Sequence, residues 1–335
     1  VNNNIKESRI AKKECKTMKV SVHKINENEF LLEGTKGVNT GKSSLKSNLL
    51  IALFVTVFTM VPFVLFQVFG KGIIDFVNTG GGGFELTINI KTIAGTAAGA
   101  MMIFVLLNSS ILGLAFGTII AEKFIHKRSI QRMFSLGKFN LKALYFGLIA
   151  WAILIAFSSF VDAFVFHENY VFNWDINKWL IFLPVVLLLT PLQCISEEIF
   201  FRTYLMRLIY TKTQKTIFVI LIMTIIFALV HLPNIALMSG GNLVSYSVSF
   251  VAYLTISYLL TYLTYVSQGL ELSIGIHIAN NILYFIVINS LESYTGFIPS
   301  IFDVKSTNIY WGCISLILSS LILIAVYSKL KNQLE

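Results

Sequence analysis

The chain has 335 residues, 56% of them hydrophobic and only 13% charged, with a formal net charge of +9 at pH 7. Soluble domains are about a quarter charged, so this composition excludes an ordinary soluble protein and predicts an integral membrane protein. Its apolar runs are continuous rather than alternating, which excludes a β-barrel and leaves helices that satisfy their own backbone amides in lipid.

Residues 1–48 are polar, mixed in charge and rich in Asn, Lys and Glu. They are expected to form a poorly ordered cytoplasmic arm, a solvated tail rather than a segment bound to lipid headgroups. Eight apolar runs follow, most of them near the ~20 residues that cross a hydrocarbon core of about 30 Å. Three make an N-terminal membrane region over 49–178: Leu49–Gly70, Ala98–Ala121 and Ala143–Phe166. Gly80–Gly83, in the loop after the first span, reads as a flexible connector, because no helix follows to make it a phosphate loop. Gly113 and Gly117 have the spacing that lets helices approach closely, expected here within the molecule.

Four more spans occupy 179–290: Trp179–Cys194 or beyond, Ile217–Met238, Val244–Val266 and Leu270–Asn289. The last, Ile309–Tyr327, lies within 291–335 and precedes a short cytoplasmic tail. The expected fold is all-α, a polytopic membrane protein of about eight transmembrane helices enclosing a polar catalytic cavity. With the N-terminus inside, 22 of the 26 Lys and Arg fall on the cytoplasmic side, leaving Lys71, Lys91, Lys178 and Lys305 outside. The positive-inside rule therefore selects N-in and C-in. Topology explains the basic excess, so it is no argument for nucleic acid. The first span is too long for a signal-peptide core and is read as its own insertion signal. Cys15, Cys194 and Cys313 have no CxxC spacing, so neither a disulfide framework nor a thiolate metal site is indicated. Short loops and the leading Val1 point to a bacterial cytoplasmic membrane.

Ionisable groups inside spans cost a few kcal/mol and tend to face a cavity or one another. Three polar clusters follow residue 190. In Ser196-Glu197-Glu198-Ile199-Phe200-Phe201-Arg202, Glu198 and Arg202 are i and i+4 and can pair on one helix face. Glu197 is rotated by about 100° and is left to enter a polar cavity as a general base. The plainer reading is that these charges mark the end of the fourth span. Against it, Tyr204, Leu205, Leu208 and Ile209 keep the segment apolar, and Pro191 can kink the helix to open a cavity. His231 lies four residues after Phe227; alone, such a histidine is more often a hydrogen-bonded packing residue. His277 and Asn281 share one face of the seventh span and alone could be interhelical glue. Together the clusters supply what peptide hydrolysis requires. Glu197 and His231 can hold and deprotonate a water, and His277 and Asn281 can donate to the oxyanion. His23, His126 and His167 are assigned no chemistry.

At these residues the sequence resembles the CPBP family of intramembrane proteases, which includes type II CAAX prenyl endopeptidases and bacteriocin-processing or bacteriocin-immunity proteins. The family pattern of EExxxR, FxxxH and HxxxN is present as Glu197 to Arg202, Phe227 to His231 and His277 to Asn281, over roughly Phe182–Asn289. The resemblance implies Glu197 and His231 as the water-activating pair, His277 and Asn281 as the oxyanion pair, and Glu198 and Arg202 as supports. It also raises a zinc held by Glu197, His231 and His277. Metal-free hydrolysis is favoured, because no HExxH helix fixes two ligands at once.

The expected activity is endopeptidase cleavage near the cytoplasmic leaflet. Expected partners are membrane lipids and a hydrophobic, lipidated or precursor peptide, with a farnesylated CAAX protein disfavoured in a bacterium. The alternatives are a non-catalytic membrane scaffold or bacteriocin-immunity protein, and a transporter using Glu197 as an ion site. The complete motif set counts against the scaffold.

Overall fold

A computed structural model describes residues 28–65, 97–291, 296–305 and 308–334. Residues 1–27, the end of the first predicted span and the glycine run Gly80–Gly83 lie outside them. Eight of the described helices carry the predicted apolar runs. Six have crossing length: α2 (Gly41–Leu65), α3 (Ala97–Ile120), α5 (Leu141–Val165), the long element that begins with α6 (Ile176–Glu198), α10 (Leu243–Ser267) and α12 (Ile309–Leu334). The other two, α8 (Thr216–Val230) and α11 (Glu271–Ile286), have 15 and 16 residues. At 1.5 Å per residue they are about 22–24 Å long, short of the hydrocarbon thickness. The expectation of about eight spans thus becomes six helices of crossing length and two shorter apolar ones among the described residues.

Each departure has a local cause. The run predicted as one helix over Ile217–Met238 is two, α8 and α9 (Leu232–Met238), separated by His231 at φ −94° and ψ 4°. Pro233 sits in the first turn of α9, where its missing N–H costs nothing. The fourth span runs far beyond Cys194. It continues from α6 through a π-helical stretch, Ile199–Leu205, into α7 (Met206–Thr213), 38 helical residues in all. The run predicted over Leu270–Asn289 ends early, its tail forming strand β2 (Ile288–Ser290). With β1 (Tyr170–Phe172) and β3 (Phe302–Val304) it makes a small mixed sheet of order β1-β3-β2 at one end of the bundle.

The short α11 is the hub, packed against α5, α6 and α10. Its residues from Glu271 to Ala279 are all buried. Glycines make that approach possible: a side chain on Gly275 would run into the Leu144 carbonyl, and one on Gly147 into the Leu272 carbonyl. Trp151, Leu259, Leu263, Leu272, Ile276 and Leu323 then fill the space among α5, α10, α11 and α12. On the other side α2 packs on α3, where Gly113 and Gly117 face Phe54 and Ile51. The expected close packing is therefore within the molecule. Large apolar side chains such as Phe157, Phe160 and Phe164 point outward, as on a surface solvated by lipid.

The arm expected over residues 1–48 differs at its C-terminal end. Residues 28–40 form a strap, not a solvated tail, although 1–27 are outside the described residues. Asn28 caps α1 (Glu29–Leu32) by accepting from the Leu31 N–H at 3.0 Å, and its amide donates to the Tyr265 carbonyl at 2.6 Å. Phe30 and Leu31 are both 0% exposed. Phe30 sits among Met133, Cys194, Ile199, Leu270 and Ile274; Leu31 sits among Phe201, Met206, Tyr210 and Val219. Buried Arg207 ties the strap down, donating from Nε to the Phe30 carbonyl at 2.9 Å with its guanidinium 4.1 Å over the Phe30 ring. Glu33 pairs with Lys36 and with Arg132, next to the short helix α4 (Gln131–Phe134). Partial burial pushes its carboxyl pKa up, but those two cations outweigh it and the net shift is downward. The polar composition that suggested disorder in this stretch belongs to cap and ion-pair partners around two apolar anchors.

Candidate active site

The fourth span delivers its carboxylates where α-helix turns into π-helix. Met206 N–H reaches the Phe201 carbonyl, the i→i+5 bond of a π turn, a distortion common at functional sites. Glu198, the last α residue, and Arg202, inside the π turn, pair at 3.1 Å with both side chains 0% exposed. The predicted i,i+4 pair is therefore present, but it is part of a larger arrangement. Glu198 Oε1 also accepts from His277 Nδ1 at 2.8 Å. The Arg202 guanidinium lies 4.1 Å from the Phe227 ring, a stacking that suits a poorly hydrated planar cation. Phe227 in turn contacts both histidine rings, at centroid distances of 4.4 Å to His231 and 6.3 Å to His277. It lines a cavity that Arg202 does not reach.

That cavity has a volume of about 350 Å³ and receives Glu197, His231, His277 and Asn281 together. The four residues singled out from sequence therefore converge. Glu197, 7% exposed, is the only Asp, Glu, Lys or Arg among the described residues lining it. Its Oε1 accepts from Gln193 Nε2 at 3.2 Å. Its Oε2 is buried without a hydrogen bond from any described protein group and lies 3.8 Å from His277 Nε2. His231 Nδ1 lies 2.7 Å from the Phe227 carbonyl. A carbonyl can only accept, so Nδ1 carries the proton and, in the neutral ring, Nε2 presents a lone pair. Tyr253 stacks on the ring at 5.0 Å.

His277 and Asn281 share the cavity face of α11 as expected, but they are not hydrogen-bonded to each other. His277 is committed to Glu198; Asn281 Nδ2 donates weakly to Cys194 Sγ at 3.6 Å, and its Oδ1 accepts from Asn280 at 3.1 Å. Asn280 Oδ1 accepts from Trp151 Nε1 at 3.2 Å, so α5 and α11 jointly hold the amide. Among the described residues no three His, Cys, Asp or Glu side chains are arranged to hold a metal ion. Glu197, His231 and His277 are not arranged as such a group, although Nδ1 of His231 on a backbone carbonyl and Nδ1 of His277 on Glu198 leave each Nε2 free.

Of the remaining candidates, His126 is structural, lying 2.7 Å from Ser47 Oγ and 2.8 Å from the Val38 carbonyl. His167 sits in a turn after α5, and His23 lies outside the described residues. Cys194 and Cys313 are buried free thiols, and Cys15 is outside the described residues. Sequence reasoning missed Gln193, Asn280 and Tyr253. Gln193 had a readable signal, being four residues before Glu197 on the same helix.

The helical bundle thus gathers a carboxylate, two imidazoles and an amide around one internal cavity. Residues 177–283 match the family described as Type II CAAX prenyl endopeptidase Rce1-like, a stretch that contains every motif residue named above. Over that stretch, about a third of the chain, the protein is similar to this endopeptidase family. It is also 29% identical over 197 residues to the uncharacterized protein YyaK of Bacillus subtilis (strain 168). That alignment covers 58% of this chain and 64% of the relative. No solved structure matches.

Proposed function

We propose that this protein is an intramembrane endopeptidase in which Glu197 and His231 activate a water and His277 and Asn281 stabilise the oxyanion. The observation that carries the reading is the free oxygen of Glu197, a buried Oε2 facing a cavity that also receives His231 and His277. A water there can donate one hydrogen to Glu197 Oε2 and the other to the Nε2 lone pair of His231. As the water oxygen attacks the scissile carbonyl carbon, Glu197 takes its proton and passes it to the departing amine. Asn281 Nδ2 has a second N–H for the carbonyl oxygen as it becomes negative. His277 donates from Nε2 only as imidazolium, because its Nδ1–H is held by Glu198. Glu198 and Arg202 act through His277. No step is routed through a metal.

The substrate is proposed as a hydrophobic, lipidated or precursor peptide reached from the bilayer, with N- and C-termini cytoplasmic in a bacterial membrane. The test compares peptides released from membranes carrying the wild type, Glu197→Gln or His231→Ala. Both variants are expected to insert and purify like the wild type and to lose cleavage by at least ~100-fold. Full activity in both would reject the mechanism. The scaffold reading makes a different prediction, an unchanged peptide profile with partner binding retained in both variants.

A further inference from the structure

Gln193 is explained neither by the three motifs nor by helix packing. It lies one turn before Glu197, is 6% exposed, lines the cavity and donates to Glu197 Oε1 at 3.2 Å. An ionised carboxylate is acceptor-only, so the NH₂ end of the amide must face Glu197 and the carbonyl end must turn away. That oxygen, Gln193 Oε1, is buried and accepts no hydrogen bond from any described protein group. A buried amide oxygen left unmatched costs about 1–3 kcal/mol, and native proteins keep few of them without a reason.

We propose that Gln193 is a positioning residue that orients Glu197 through one carboxylate oxygen and offers its own carbonyl to a backbone N–H of an extended peptide in the cavity. The proposal rests on Glu197 as the base. Holding Oε1 leaves Oε2, the oxygen facing His277, as the one that engages water. The substrate side follows from complementarity. Asn281 Nδ2, held by the chain from Trp151 through Asn280, brings a donor to the cavity, and Gln193 Oε1 brings an acceptor. An extended peptide carries both matching groups on its backbone whatever its side chains. The site therefore reads main chain in a cavity otherwise rich in aromatic and aliphatic walls. A C-terminal carboxylate or a side-chain carbonyl could not fill the place next to Gln193, because neither donates.

The test uses the full chain in lipid nanodiscs, with Gln193→Met preserving shape but not hydrogen bonding, and Gln193→Asn as the second variant if Met impairs folding. One measurement needs no substrate. The infrared carboxylate band that disappears in Glu197→Gln is expected to move in Gln193→Met, while the melting temperature stays within a few degrees. The other uses fluorogenic apolar decapeptides N-methylated at one backbone position at a time. In the wild type, one methylation is expected to lower kcat/KM about tenfold or more, the effect of one lost, buried hydrogen bond. In Gln193→Met that same methylation should cost nothing further, and kcat should fall about 10- to 100-fold from misplacement of the base. If the wild type cleaves these peptides and Gln193→Met changes neither the band nor any methylation effect, the proposal is overturned and the peptidase reading stands. If no peptide is cleaved but the band still moves, positioning of Glu197 is upheld and the peptidase reading fails. A band that does not move overturns the positioning role in either case.

Discussion

Arg202 shows how a single charge at 0% exposure can be held in an apolar helix. It has one carboxylate partner, an aromatic face, and no opening to the cavity. Removing one member of such a pair is far worse than removing both, because the survivor is left charged and desolvated. Arg202→Leu is expected to lower unfolding stability in detergent by about 3–5 kcal/mol, and Glu198→Leu/Arg202→Leu to regain a good part of it. The double variant should nevertheless remain inactive, since His277 loses its anchor. Equal instability of single and double variants in chemical unfolding would show that the pair is not coupled. The Glu198–Arg202 pair was legible in sequence because it is local and governed by helical spacing. The Glu198–His277 bond was not, because it joins residues 79 apart and no spacing rule reaches across helices. The same limit hid the partners of Asn281, Cys194 on another helix and Asn280 held by Trp151.

Among the elements, the least lipid-exposed helix carries the most chemistry. Its seat depends on glycines whose absent side chains let backbones touch, so Gly275→Leu is expected to push α11 from α5 and prevent a folded, monodisperse preparation. Gly312→Leu, at a glycine with open space around it, should purify normally; size-exclusion chromatography of both checks this. Positions of the apolar runs were legible because each run is long and uniformly oily. Their ends were not, since a π turn, a histidine break and a strand are settled by tertiary contacts. The strap was missed for a related reason: Phe30 and Leu31 are two apolar residues in a polar stretch, too few for periodicity to register. Its ion pairs give it a pH signature. The Glu33 carboxyl is held below the ordinary range, so its contribution is fully present above the unfolded-state pKa and is lost as pH falls through the lowered folded value. Below about pH 4, amide exchange in residues 29–35 should accelerate, and Glu33→Gln should abolish that dependence.

Across the whole molecule, the charges sort by loop and the apolar side chains sort by face. N-in and C-in orientation predicts that a cysteine placed at Lys178, in a chain whose natural cysteines are replaced, reacts with an impermeant maleimide added outside intact cells. One placed at Lys212 should react only after the membrane is opened. Labelling in the reverse order would invert the proposed topology. Fold class was legible at this scale, because so few charges leave no alternative to a lipid-solvated helical bundle. The number of helices of crossing length was not, since among the described residues two of the apolar runs form helices of 15 and 16 residues.

The seat of Phe30 is made of segments far downstream, as late as Leu270 and Ile274. At roughly 5–20 residues per second, the ribosome needs some tens of seconds after making Phe30 before that seat exists. During that interval Phe30 and Leu31 have no permanent home, and they lock in only when α11 arrives. Capture of the strap is thus a late step of biogenesis, which makes its protection from protease a natural clock for completed assembly.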